Sequence, residues 1–187
     1  MSEPENARSA LVLGLGNLLC GDDGLGVAAL AELSRRFHPP PGLDLVDGGT
    51  LGLSLLPTLE SADEVWILDA VAAEASPGSL VRLEGEAVEP ALRERLSPHQ
   101  IGVADLLDAL HWRDTWPKRL RVLGLVPARM GLELGLSEPV ARGLDGLIDA
   151  VASELAAAGH ALVQRPGGGL SEPVDRGGDP AARALGL

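Results

Sequence analysis

The most constraining feature of this chain is its alternation of short apolar runs with stretches of helical periodicity. Residues 10–15 are apolar throughout and end at Gly14-Leu15-Gly16-Asn17, which reads as a buried strand entering a turn. Residues 26–37 then place Val27, Leu30 and Leu33 at helical spacing. After the breaker Pro39-Pro40-Pro41-Gly42, residues 43–46 form a second strand-like run ending in Asp47-Gly48-Gly49. Residues 51–59 read as a short helix, and residues 65–68 as a third strand ending at Asp69. Residues 80–83, with Arg82 between apolar neighbours, alternate as an edge or antiparallel strand does. Residues 120–126 form the last strand, stopped by Pro127.

Two further helices are well marked. Ser97-Pro98-His99-Gln100 has the pattern of a capping box, with Val103, Leu106, Leu107 and Leu110 as the apolar face behind it. The final helix starts near Ser137 and carries Val140, Leu144, Leu147, Ile148, Val151 and Leu155 on one stripe, with Gly159 as its stop. Strands that are apolar at almost every position belong to a parallel sheet covered on both faces. The expected fold is a single α/β domain: a mostly parallel, twisted sheet of about five strands, with helices on both faces.

Composition narrows the function classes. Apolar residues make up 45% of the 187, but aromatics only 2%, so the core is aliphatic. The net charge of −12 argues against nucleic acid and against anionic membrane surfaces, since neither gains from contact with an acidic protein. The single cysteine, Cys20, excludes an internal disulfide framework and a cysteine-based zinc site. No apolar run approaches the roughly 20 residues that cross a bilayer. Residues 1–9 are polar and acidic, unlike a signal peptide, and are expected to form a flexible N-terminus of a cytoplasmic protein. Glycine and proline fill about a third of residues 159–187, a linker composition that predicts a disordered tail and leaves residues 10–158 as the domain.

In an open α/β sheet, ligands bind beyond the carboxyl ends of the strands. Here the first strand leads to Asn17 and Asp22-Asp23, the second to Asp47 and the third to Asp69, and His99 sits in the first turn of a capped helix. A nucleotide site fails on inspection: the dinucleotide fingerprint needs glycine where Leu19 stands, and no Gly-Lys-Ser or Gly-Lys-Thr follows. Carboxylates with a neutral imidazole suit a borderline divalent ion such as nickel or zinc. Plainer roles stand beside this one. Asp22 or Asp23 could cap the first helix, Asp69 could be a turn residue, and His99 could face solvent. His38, His111 and His160 follow no motif and read as surface residues.

Leu11-Val-Leu-Gly-Leu-Gly-Asn-Leu-Leu-Cys-Gly-Asp-Asp-Gly-Leu-Gly26 resembles the opening signature of the [NiFe]-hydrogenase maturation proteases. Val46-Asp-Gly-Gly-Thr50, Ile67-Leu-Asp-Ala70 and Ser97-Pro-His-Gln-Ile-Gly102 resemble that family's next landmarks, in the same order. Leu123-Gly-Leu-Val-Pro127 and the Leu136-Ser137 helix start resemble its last ones, so that the likeness spans about residues 10–158. The resemblance implies a cytoplasmic, aspartic-type endopeptidase; since no obvious unburied apolar face in the sequence demands a partner, a monomer is expected. It would remove a C-terminal peptide from the hydrogenase large-subunit precursor once nickel has been inserted, and it would need no organic cofactor. It further implies that Asp23, Asp69 and His99 contact nickel supplied by the substrate, the metal serving as recognition element. Asp47 is then a candidate for holding substrate or a water, with stabilisation of its strand-to-helix turn as the plainer role. The sequence departs from the family where Pro127-Ala128 replaces a frequent Pro-Glu, and it has Asp23 where some relatives have Glu. A self-sufficient metallohydrolase and a nickel chaperone that binds the precursor without cutting it are the competing readings.

Overall fold

A computed structural model of the chain describes residues 9–93 and 100–166. Seven strands lie among them: β1 (Ala10–Leu15), β2 (Phe37–His38), β3 (Leu43–Gly49), β4 (Glu64–Ala70), β5 (Leu80–Glu84), β6 (Arg119–Leu125) and β7 (Val163–Gln164). The helices are α1 (Leu25–Arg36), α2 (Leu56–Glu60), α3 (Val88–Arg93), α4 (Gln100–Trp112) and α5 (Glu138–Ala157). Five strands form one sheet in the order β3-β1-β4-β6-β5. Strands β1, β3, β4 and β6 are parallel, and β5 runs antiparallel to β6 at one edge. The expected α/β domain and its antiparallel edge strand are both present.

The period-2 geometry of the central strands divides the core in two. Ala10 and Val12 of β1, and Trp66, Leu68 and Ala70 of β4, face α1 and α5, where Leu25, Leu30, Leu33, Val140, Leu147, Ile148, Val151 and Leu155 pack. Leu11, Leu13 and Leu15, with Val65 and Ile67, face the other way onto α2, α3 and α4. Trp66 supplies the one buried aromatic side chain in an otherwise aliphatic interior, as the composition requires. Packing α1 this close to the sheet depends on Gly26, where a Cβ would stand 2.0 Å from the Leu68 carbonyl oxygen and 2.4 Å from that of Leu15.

Local boundaries moved where tertiary contacts outweigh propensity. The first helix stops at Arg36 because Phe37 turns extended and pairs with Gln164. The short helix expected over residues 51–59 divides into a 3-10 turn, Gly52–Leu55, followed by α2 with Pro57 in its first turn. The last helix begins after Ser137 and ends at Ala157, and Gly159 beyond it, with a φ of 94°, lets His160 N–H reach the Leu155 carbonyl at 2.8 Å. Residues 1–8, the Ser97-Pro98-His99 cap and residues 167–187 lie outside the described residues.

Residues 160–165, assigned by composition to a disordered tail, close onto the domain instead. Val163–Gln164 pairs antiparallel with Phe37–His38, and Arg165 donates its backbone N–H to the Arg36 carbonyl at 2.7 Å. His160, expected at the surface, is buried edge-on against Trp66, with ring centroids 6.0 Å apart. The composition of the whole segment is dominated by its later glycines and prolines, which conceals the short run that can still pair.

Candidate active site

The sheet order reverses between β1 and β4. The chain leaves β1 through α1 to reach β3 on one side, then returns through α2 on the other face to lay β4 on β1's free edge. Helices on opposite faces open a crevice at the carboxyl ends of such a strand pair, and that is where ligands of open α/β sheets bind. Asp23 lies in the turn that follows β1, and Asp69 is the penultimate residue of β4. The 3-10 turn Asp22–Gly24 that carries Asp23 packs directly on β4.

Both carboxylates are withdrawn from water, Asp23 at 2% exposure and Asp69 at 1%. Burying an ionised carboxylate is costly unless other groups replace its hydration, so two together at one strand edge mark a site kept for chemistry. Asp23 Oδ2 accepts the Asn17 backbone N–H at 2.8 Å, and Asp69 Oδ1 accepts that of Ala70 at 2.8 Å. Strand alternation gives Asp69 the parity of Val65 and Ile67, the side of the sheet that α4 covers.

Helix α4 is fixed to the same edge by a backbone crossing. A Cβ on Gly52, in the turn after β3, would meet the Gly102 Cα at 2.8 Å. The first turn of α4 is therefore held against the end of β3. His99 immediately precedes this helix in the chain but lies outside the described residues.

Asp47 stands apart from the buried pair. It lies at the end of edge strand β3, exposed, on the sheet face opposite to Asp69, and its Oδ1 accepts the Gly49 N–H at 3.0 Å. That bond is the turn-stabilising role an aspartate takes at such a position.

Neither member of the Asp22-Asp23 pair caps α1, whose N-cap is Gly24. Asp22 is wholly buried and turned toward the loop after β6. Its Oδ2 accepts the backbone N–H groups of Ala128 and Arg129, each at 2.8 Å, and the Ser137 hydroxyl at 2.8 Å; its Oδ1 accepts the Ser137 N–H at 2.7 Å. Burial alone would raise the carboxyl's pKa, but the bonds from Ser137, Arg129 and Ala128 outweigh it and hold Asp22 below the usual aspartate value. As helix caps the adjacent carboxylates are equivalent in the sequence; in the structure Asp23 is held by nearby Asn17 and Asp22 by groups more than 100 residues further on.

Two buried carboxylates beside the switch point of a doubly covered, mostly parallel sheet are the candidate site of this α/β protein. Comparison with known proteins makes this specific. A family model described as hydrogenase maturation protease matches residues 27–154. The hydrogenase 2 maturation protease of Escherichia coli K12 is 33% identical over 156 residues, covering 83% of this chain and 95% of that one. The hydrogenase expression/formation protein HupM of Azotobacter chroococcum is 34% identical over 164 residues, covering 87% and 78%. Among solved structures, the hydrogenase maturating endopeptidase HybD from E. coli superposes with a TM-score of 0.78 at 33% identity over 83% of this chain and 97% of that one. The [NiFe] hydrogenase maturation protease HybD from Thermococcus kodakarensis gives 0.61 at 29% identity, over 79% and 98%. The chain belongs to the hydrogenase maturation protease family and is a peptidase.

Proposed function

We propose that this protein is the endopeptidase that removes the C-terminal peptide from a [NiFe]-hydrogenase large-subunit precursor after nickel has been inserted. The observation that supports this reading is the pair of buried carboxylates beside the switch point, Asp69 in β4 and Asp23 in the turn that packs on β4. In this reading the nickel is part of the substrate. Asp23, Asp69 and His99 complete its coordination shell, hard oxygens and an imidazole being suited to that ion. The metal then tethers the precursor, and fixing the nearby peptide bond against the crevice supplies orientation that a free encounter lacks. Asp47, exposed near the end of β3, is a further candidate for holding substrate or a water. The carboxylates class the enzyme as aspartic-type, and it needs no organic cofactor.

The acidic surface, with a net charge of −12, supports a partner other than nucleic acid or membrane. No helix among the described residues is long and apolar enough to cross a membrane. We place the protein in the cytoplasm, acting as a monomer on the precursor.

The test uses the large-subunit precursor in nickel-loaded and nickel-free forms, each incubated with this protein, with the C-terminal mass as readout. Loss of a short peptide from the loaded form alone is the expected result. Cutting of both forms would remove nickel as the recognition element. An intact precursor that loses nickel more slowly would replace the protease reading with a nickel chaperone.

A further inference from the structure

Residues 127–136, between β6 and α5, form an arm without regular structure that is nevertheless fixed at many points. Its two ends are held by Asp22 through Ala128, Arg129 and Ser137. Its middle is laced to the loop after β1: Gly21 N–H donates to the Glu133 carbonyl at 2.7 Å, Glu133 N–H to that of Leu19 at 3.0 Å, and Asp22 N–H to that of Arg129 at 3.0 Å. Met130 and Leu136 pack against the core. The two leucines between them do not, Leu132 being 90% exposed and Leu134 78%. Cys20 and Glu133 are parallel bridge partners, so Leu19, itself 56% exposed, lies beside these leucines on the neighbouring segment. Leu18, half exposed, rests on Gly24 in the turn that carries Asp23: a Cβ on Gly24 would meet the Leu18 Cα at 2.8 Å.

Exposed leucines on a slack loop carry little meaning, but here the backbone that presents them is locked by a buried carboxylate. An ordered apolar patch of this kind, continuous with a candidate active site, marks an interaction surface. Its chemistry is specified too. In a chain of net charge −12, the arm's only charged side chains, Arg129 and Glu133, pair with each other at 2.7 Å and cancel. The surface therefore suits an uncharged partner segment.

We propose that this arm, positioned by Asp22, is the docking surface for an uncharged apolar stretch of the substrate precursor beside the scissile bond, with Leu19, Leu132 and Leu134 as its contacts. The proposal rests on the proteolytic reading above. Asp22 is a positioning residue: it touches no substrate and acts by holding the arm to the Asp23 turn.

The test measures Kd for the nickel-loaded precursor, and KM and kcat for its processing, in wild type, the double variant Leu132→Ser/Leu134→Ser, Asp22→Asn and Leu155→Ala. The double variant should weaken binding and raise KM about 10-fold or more, with kcat and melting temperature unchanged. Asp22→Asn turns an amide toward groups that all donate, so it should raise KM in the same way while also lowering the melting temperature. Leu155→Ala, a core variant that also melts early, should keep its KM, which separates positioning from stability. An unchanged KM and Kd in the double variant would overturn the docking surface. So would a wild-type dimer that the double variant dissolves, because the leucines would then belong to a second copy of this chain. A wild type that binds the precursor through these leucines without cutting it would overturn the proteolytic reading and leave the surface standing.

Discussion

Gly52 and Gly102 touch backbone to backbone: a Cβ on either would come within 2.9 Å of the other's Cα. One lies in the turn after β3, the other in the first turn of α4, so this crossing sets how closely α4 approaches the carboxyl edge of the sheet. Gly102→Ala should lower stability by about 1–3 kcal/mol, the usual cost of overpacking, and reduce processing more than a surface alanine would. Thermal melts and precursor cleavage, read together, check it. An alanine tolerated on both counts would mean that α4 does not depend on this contact.

The buried pair makes the sharpest prediction for activity. Asp23→Asn, Asp69→Asn and His99→Ala should each reduce processing on the order of 100-fold or more, because each removes one proposed contact to the substrate's nickel. An asparagine at position 23 keeps an acceptor for the Asn17 N–H, so circular dichroism should show an intact fold. Normal processing by all three would make the site assignment wrong.

Asp47 needs a pair of variants, since one carboxylate has two candidate roles. Its Oδ1 holds the Gly49 N–H, a bond that Asp47→Asn keeps and Asp47→Ala loses. The alanine variant should lose about 1 kcal/mol of stability, and the asparagine variant almost none. If Asp47 also contacts substrate, the asparagine variant should still process about 10-fold more slowly. Full activity in Asp47→Asn would leave the residue as a turn stabiliser only.

Acid should weaken the ion-pair cluster that Glu32 forms with Arg35 and Arg36 on α1 in a defined window. Hydrogen bonds and charge from Arg35 and Arg36 lower the Glu32 pKa from about 4.5 to about 2, against a smaller opposing effect of burial, and Arg36 also pairs with Asp145 of α5. A carboxylate with a depressed folded pKa contributes stability that is complete above its unfolded value and is lost as pH falls toward the folded one. The Glu32 contribution should therefore disappear between about pH 4.5 and about pH 2. Glu32→Gln should flatten the wild-type loss of stability over that range and cost on the order of 1 kcal/mol at neutral pH. Denaturant melts at a series of pH values measure both.

The closing ribbon predicts where the chain can be shortened. Ending it after Pro166 should leave the melting temperature unchanged. Ending it after Gly159 removes His160 from Trp66 and the β7 partner of Phe37–His38, and should cost about 2 kcal/mol. Equal melting of the two would assign the ribbon no part in stability.

The sequence by itself determined the alternation of elements, since each apolar run or helical stripe reports a local period that burial on a sheet face or helix face imposes. It also determined that Asp47 and Asp69 fall near strand ends and Asp23 in the segment after the first strand, because a turn after an apolar run is visible in a handful of residues. Tertiary structure decided where those carboxylates stand and what they touch. The strand that carries Asp69 packs against the turn carrying Asp23 at the point where the strand order reverses between β1 and β4, while Asp47 is left exposed on an edge strand, and no spacing along the chain encodes that reversal. Asp22 looks like its neighbour in the sequence but faces Ser137, 115 residues further on. Residues 160–165 join the domain through Phe37 and Trp66, more than 90 residues away in the chain. A side chain's hydrogen-bond partners and its burial are set by segments that meet only when the sheet is assembled, and local pattern carries no record of that meeting.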